Sequence, residues 1–353
     1  MDLNGQRILF IKQSSLGDVV HALPVAHALK RCFPRCSIGW VVERGYAALV
    51  ESDDAVDAVY PIHIPSTSSP GASRIAYGAA LSATIKVLRD LRRSFKSAPY
   101  DIVLDLHASF RSGVIALANP GGIRYGFRDA RELNTLFQDR LIDVPSDTVH
   151  AVDKNLLFAS CFSCAAQPVD FHLCSSDADA QAASQFLLDQ QMVTTERFVY
   201  VNPTARWQSK YWIASRWSEL CERLIGAGIQ PVLGGSGADV PYIEEIVAGM
   251  DKKPVVSAGK LALGASVDLI QRATAYIGLD TGPMHIAAMA GVPVVALFGP
   301  THPERVGPYG VRRVIVRAEG VECLCCRKRV CEQMDCMRGI SVDRVFSAIM
   351  ELI

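Results

Sequence analysis

Apolar positions along this chain recur in two rhythms that alternate. Short continuous runs such as Arg7–Lys12, Ser37–Val42 and Asp101–Leu106 have the length and β-branched content of buried strands. Between them, apolar residues recur every three or four positions. Val19, Val20, Leu23, Ala26 and Leu29 predict a helix over Asp18–Cys32, with Pro34 after its end, and a second helix is predicted over Ala79–Lys96. Ala55–Ile62 reads as a further strand and Pro65–Ser73 as a Ser/Pro/Gly loop. The second half repeats the grammar. Strands are predicted at Phe198–Val201, Gln230–Leu233, Tyr276–Leu279 and Pro293–Phe298, and helices at Arg216–Ala227, Val240–Met250 and Met284–Ala290. Strands alternating with helices imply parallel sheets covered on both faces. Two such series predict an α/β protein of two doubly wound lobes, joined where the chain turns polar near Pro168–Asp179.

Length and charge agree. At about 150 residues per domain, 353 residues make two domains. Half of the residues are hydrophobic, which excludes a disordered chain, and 36 basic against 36 acidic side chains excludes a dedicated nucleic-acid binder. The longest apolar stretch, Ile286–Pro300, is broken by Gly291 and Pro293, and Ile8–Ile11 is too short for a signal peptide. A cytoplasmic protein is expected. Six of the 11 cysteines (Cys32, Cys36, Cys161, Cys164, Cys174, Cys221) are scattered and are expected to be reduced core residues or idle thiols.

Chemistry is expected where strands run into helices, because ligands of doubly wound folds bind at the carboxyl ends of strands. The turn Lys12-Gln13-Ser14-Ser15-Leu16-Gly17-Asp18 places a carboxylate at such a point. Asp18 reads either as a helix cap or as part of a site. Gly278-Leu279-Asp280-Thr281-Gly282-Pro283-Met284-His285 opens another helix, with Pro283 suited to the first turn, and offers amides to an anion. Asn202-Pro203-Thr204-Ala205-Arg206, with Lys210 close behind, offers a hydroxyl and an ammonium to a diphosphate. Each has a bland counterpart, a capped turn or a solvated loop. Gly234-Gly235-Ser236-Gly237 followed by Asp239 is not the dinucleotide fingerprint, which counts against a nicotinamide enzyme.

Taken together, KQSSLGDVVHALP, WVVERG, DLHASFRS, PTARWQSKYW, LGGSGADV and LDTGPMHIAAMAGVPVVALFGPTHPERVGPYG resemble glycosyltransferase family 9 in order and spacing over about residues 7–350. The resemblance is nearest to the bacterial ADP-heptose:lipopolysaccharide heptosyltransferases, and SSLGDVVHALP, WVVE and DTG lean towards the type I branch, which adds the first heptose to Kdo. It implies a GT-B fold, two Rossmann-like lobes with the active site in the cleft between them. Residues 1–172 would form the acceptor lobe, 173–340 the nucleotide-sugar lobe, and 341–353 a last helix packing back on the first lobe. It implies inverting transfer from ADP-heptose with Asp18 as the base. Thr204, Lys210, Asp239, Asp280, Thr281, Gly282 and His285 would lie at the donor.

The implied acceptor is an anionic Kdo-lipid A, with Ser15, Gly17, Arg111, Arg124, Arg128 and Arg131 as candidate contacts. Ten Lys/Arg against six Asp/Glu over residues 86–140 suit that acceptor and a peripheral place on the inner-membrane surface. No cofactor is required by the motifs. Cys323, Cys326, Cys331 and Cys336 are spaced C-x2-C-x4-C-x4-C, with Cys325 extra, and read as a structural Zn²⁺ site, as an iron–sulfur cluster or as reduced, partly buried thiols. Three other functions remain at this stage. They are a different sugar or acceptor within the family, a nicotinamide oxidoreductase, and a sugar-nucleotide-binding or metal-binding scaffold without turnover.

Overall fold

A computed structural model describes residues 1–65, 74–192 and 197–353, with residues 74 and 75 described by backbone alone. The chain divides into two compact units, Met1–Phe171 and His172–Ile353. The first holds strands β1 (Arg7–Ile11), β2 (Ser37–Glu43), β3 (Ala58–Ile62), β4 (Ile102–Asp105), β5 (Ile123–Phe127) and β6 (Arg140–Ile142). They pair in parallel in the order β3-β2-β1-β4-β5-β6. The second holds β7 (Phe198–Asn202), β8 (Gln230–Leu233), β9 (Val255–Val256), β10 (Ala275–Leu279), β11 (Val294–Leu297) and β12 (Arg313–Val316), in the order β12-β11-β10-β7-β8-β9. Renumbered within each unit, both orders are 3-2-1-4-5-6, the doubly wound arrangement of nucleotide-binding folds. The central strands are apolar throughout because both faces are covered: Ile8 to Ile11, Ile102 to Leu104, Val199 and Ile277 are fully buried.

The predicted helix over Asp18–Cys32 is two helices, Leu16–Val20 and Leu23–Cys32. The break falls before Pro24, which lies in the first turn of the second helix and supplies no amide to the helix before it. The predicted helix at Ala79 begins earlier, at Arg74. The loop expected over 65–73 lies, from residue 66, outside the described residues. No helix among the described residues is long and apolar enough to cross a membrane.

One expectation is corrected. Cys32 and Cys164 form a disulfide across 132 residues of sequence, where idle thiols were expected. The end of the helix Leu23–Cys32 lies against the segment after the helix Ala151–Ser160, and Arg31 reaches Asp170 of the same segment through two hydrogen bonds of 2.9 Å. The last helix, Val342–Leu352, belongs to the second unit. Val345, Ala348, Ile349 and Leu352 recur at helical spacing, and all are buried in the core formed with β10, β11, β12 and the helix Ala214–Gly226. Ile349 is fully buried. Ile349→Ala is therefore expected to cost about 2–5 kcal/mol, read as a lower urea midpoint for the second unit. An unchanged midpoint would contradict this packing.

Candidate active site

In the first unit the site grows from the register of β1 and β4, which sets Ile11 opposite Asp105. The chain order changes direction between these strands, so the turns at their carboxyl ends diverge and leave a crevice. The turn after β1 carries Ser15, Gly17 and Asp18 into the helix Leu16–Val20. The Ser15 amide and hydroxyl both donate to Asp18 Oδ2, at 2.8 and 2.7 Å. This is a capping box, so the capping role foreseen for Asp18 is present. Among the described residues Asp18 Oδ1 accepts no hydrogen bond, and the side chain is only half-buried. Burial opposes its ionisation, but the Lys12 ammonium, the two Ser15 donors and His107 outweigh burial and hold the carboxyl below its usual range. Lys12 is buried, and its ammonium donates to the Leu106 carbonyl at 2.8 Å.

Asp105 and His107 are functional candidates that the sequence reading passed over within DLHASFRS. Asp105 is fully buried at the end of β4 and accepts five hydrogen bonds. The His107 and Ala108 amides bind Oδ1, and Ser112, Asn134 and Gln138 side chains bind Oδ2. Burial nonetheless raises its pKa. It fixes the turn that presents His107 and Arg111, with Ala108 at a φ of 57°. The signal was an acid at the buried end of an apolar strand, a position that carries a polar network or a site. Burial, and then the Lys12 ammonium, hold the His107 imidazole down at about 4 against the attraction of Asp18.

The four arginines expected to meet the acceptor fare differently. Arg111 lies half-buried in the first turn of the helix Phe110–Ala116, and Arg131 is exposed; among the described residues neither forms a salt bridge. Arg124 is held by both oxygens of Asp139, at 3.0 and 2.9 Å, and Arg128 is paired with Asp143 at 2.5 Å. Both pairs join residues 15 apart across the β5–β6 register.

In the second unit β10 pairs with β7 so that Gly278 lies opposite Asn202. This is again the point where strand order reverses. Lys210 donates to both the backbone carbonyl and Oδ2 of Asp280, each at 2.7 Å, and the pair is largely buried. The ammonium also sits 4.8 Å above the Trp207 ring. Asn202, which sequence reasoning missed, donates to the Thr204 carbonyl at 2.9 Å and to the Thr281 hydroxyl at 3.4 Å, tying the two turns together. Thr281 begins the helix Gly282–Met289 in extended conformation and does not cap it with its side chain. The Gly282 amide thus stands at a positive helix end with no hydroxyl over it. His285 is buried behind the turn, 3.8 Å from Asp280 Oδ1. Asp239 is not in this group; it closes a second capping box after β8 by accepting from the Ser236 amide and hydroxyl at 2.7 and 2.6 Å.

The cysteine segment packs beside this turn. The Ser209 hydroxyl donates to the Lys328 carbonyl at 2.6 Å, and the Cys331 amide donates to Gln208 at 3.2 Å. Cys336 is buried, and burial followed by Cys323, Cys326 and Cys331 pushes its thiol up to about 11. Among the described residues these four sulfurs do not all lie within 4.8 Å of one another. A cavity of about 440 Å³ opens at the edge strand β12, lined by Arg313, Arg317, Arg344, Glu304 and Glu319; it contains none of the predicted site residues.

Residues 88–336 match glycosyltransferase family 9 (heptosyltransferase). Lipopolysaccharide heptosyltransferase 1 of Pseudomonas aeruginosa is 30% identical over 333 residues, covering 92% of this chain and 87% of that protein. Its namesake in Escherichia coli K12 is 28% identical over 318 residues, covering 88% and 93%. Among solved structures, a family 9 glycosyl transferase from Veillonella parvula superposes with a TM-score of 0.83 at 22% identity, over 100% of this chain and 98% of that one. The E. coli heptosyltransferase WaaC with ADP superposes with a TM-score of 0.75 at 25% identity, over 98% and 100%. Two Rossmann-like units that superpose on these structures define the GT-B fold, and the relatives make the protein a glycosyltransferase. The chain belongs to glycosyltransferase family 9 (heptosyltransferase).

The half-buried His107 imidazole sets a pH response. Above pH 6.5, His107 is neutral folded or unfolded. As pH falls from 6.5 towards 4, the unfolded chain takes up a proton that the folded chain refuses, so stability falls across that window. Asp105, raised, works in the opposite sense, and Asp18, lowered, acts only below its ordinary value of 3.8. Comparison with His107→Gln isolates the histidine: its urea midpoint should fall less between pH 6.5 and 4 than that of the native chain. Parallel curves would contradict the lowered His107 pKa.

Proposed function

We propose that the protein transfers heptose, with inversion, from ADP-heptose to the Kdo of a lipid A-linked lipopolysaccharide inner core. The observation that carries the reading is the ionised, half-buried Asp18 at the strand-order reversal of one unit, matched in the other by the turn of Lys210, Thr281 and Gly282. The curated relatives named above are lipopolysaccharide heptosyltransferases, which supports the sugar and the acceptor class.

The acceptor hydroxyl loses its proton to Asp18 Oδ1 as its oxygen bonds to the anomeric carbon. The bond from that carbon to the diphosphate oxygen breaks, and ADP departs with the electron pair. Oδ2 stays engaged with Ser15, which fixes the carboxylate while the other oxygen works. A carboxylate held below its usual range is a weak base towards a resting alcohol. It becomes adequate late in the reaction, when the new bond to an oxocarbenium-like carbon makes the hydroxyl proton acidic. Charge developing on ADP is met by the third proton of the Lys210 ammonium, by the Gly282 amide and by the hydroxyls of Thr204 and Thr281. Asp280 and His285 hold that ammonium and turn in place. Arg111 and Arg131 are the guanidinium groups disposed to meet acceptor carboxylate and phosphate. Arg124 and Arg128 would first have to leave Asp139 and Asp143. The reading places the enzyme at the cytoplasmic face of the inner membrane, where a lipid-linked acceptor is reached.

Asp18→Asn retains an oxygen for the Ser15 amide and so separates base from cap. Turnover is expected to fall by about 10²–10⁴-fold, with ADP affinity and thermal midpoint unchanged; near-native turnover would exclude the base role. Lys210→Ala is expected to weaken ADP binding by about ten- to a hundredfold, the worth of a charge-assisted hydrogen bond. Calorimetry showing native affinity would refute the diphosphate assignment.

A further inference from the structure

The helix Arg74–Lys96 divides its surface unusually. One face is buried: Ala80, Leu91 and Phe95 lie in the core of the first unit, with Val87 and Leu88 packed against it. On another face Tyr77, Leu81 and Ile85, spaced four residues apart, are 57%, 64% and 49% exposed. They form one ridge about 12 Å long. Continuing in the same direction at spacings of three and four are Arg89, Arg92, Arg93 and Lys96, with Lys86 beside them, all exposed. Asp90 is the one carboxylate in the helix, and it lies 3.8 Å from Arg93. The outer face is thus apolar in its first half and cationic in its second, and the hydrophobic residues are not explained by the core.

We propose that this face docks the enzyme on an anionic phospholipid bilayer, Tyr77, Leu81 and Ile85 entering the headgroup region while the five cations meet lipid phosphates. Charge selects this occupant. Five cations against one carboxylate complement an anionic surface, and three aliphatic or aromatic side chains next to them are the composition of helices that lie in a membrane interface. The proposal extends the reading of a lipid-linked acceptor by naming the element that meets the lipid surface.

The test is co-sedimentation of the full chain with phosphatidylethanolamine–phosphatidylglycerol vesicles and with phosphatidylcholine vesicles. It compares the native chain with Leu81→Glu/Ile85→Glu and with Arg89→Glu/Arg92→Glu/Arg93→Glu. The native chain should bind the anionic vesicles at least tenfold more tightly than the neutral ones, since each cation near an anionic surface contributes about fivefold. Each variant should lose at least tenfold in that binding. ADP affinity and turnover on a soluble, delipidated acceptor should be unchanged in both, since no substituted residue belongs to the site. Native-like vesicle binding by the variants, or none by the native chain, overturns the proposal. Self-association of the native chain that the same substitutions abolish, without vesicle binding, would also overturn it and assign the face to a second copy. Absent turnover with retained vesicle binding would reject the transfer reading and leave the docking face standing.

Discussion

Parallel pairing sets Ile11 opposite Asp105 in one sheet and Asn202 opposite Gly278 in the other, and both sites follow from these two registers. A slip of one residue would turn every side chain at the strand end to the other face. In register, Lys12 emerges beside Leu106 and His107, and Lys210 can reach Asp280. Both junctions lie where strand order reverses, so the turns beyond them part and leave their amides and side chains to a ligand rather than to each other. The same 3-2-1-4-5-6 order in both units makes this a repeated solution, with different chemistry mounted on each copy.

The difference is one of charge. The first unit concentrates Lys12, Asp18, Asp105 and His107 around one strand junction, and burial sorts their protonation. His107 is kept neutral, while Asp18, supported by Lys12 and two Ser15 donors, stays ionised. That is the division needed where a proton must be accepted. The second unit relies on a single ammonium, hydroxyls and a helix end, a set suited to holding a diphosphate and stabilising it as it leaves. Asp280 keeps Lys210 extended over Trp207, so the ammonium is ordered before a ligand arrives.

Much of this was legible in the sequence because it is local. The strand–turn–helix passages around Asp18 and Thr281, and the Lys210 loop, announce themselves through apolar runs that stop at Gly, Ser, Thr and Asp. What escaped depends on contacts between distant residues. Arg124 and Arg128 look available until the β5–β6 register sets Asp139 and Asp143 against them. Asp105 acquires its role from Asn134 and Gln138, about 30 residues on. The partner of Cys32 is 132 residues away. The last helix shows an apolar stripe in the sequence, but a stripe does not say which core it covers; the second unit's sheet does.

The central claim is that one unit activates an acceptor hydroxyl while the other releases ADP. The most direct measurement is ADP release by the purified native chain given ADP-heptose with and without Kdo-lipid A. The account predicts release that depends on the acceptor and yields one glycosylated acceptor per ADP. ADP binding without acceptor-dependent release, or release at the same rate with no acceptor present, would contradict it.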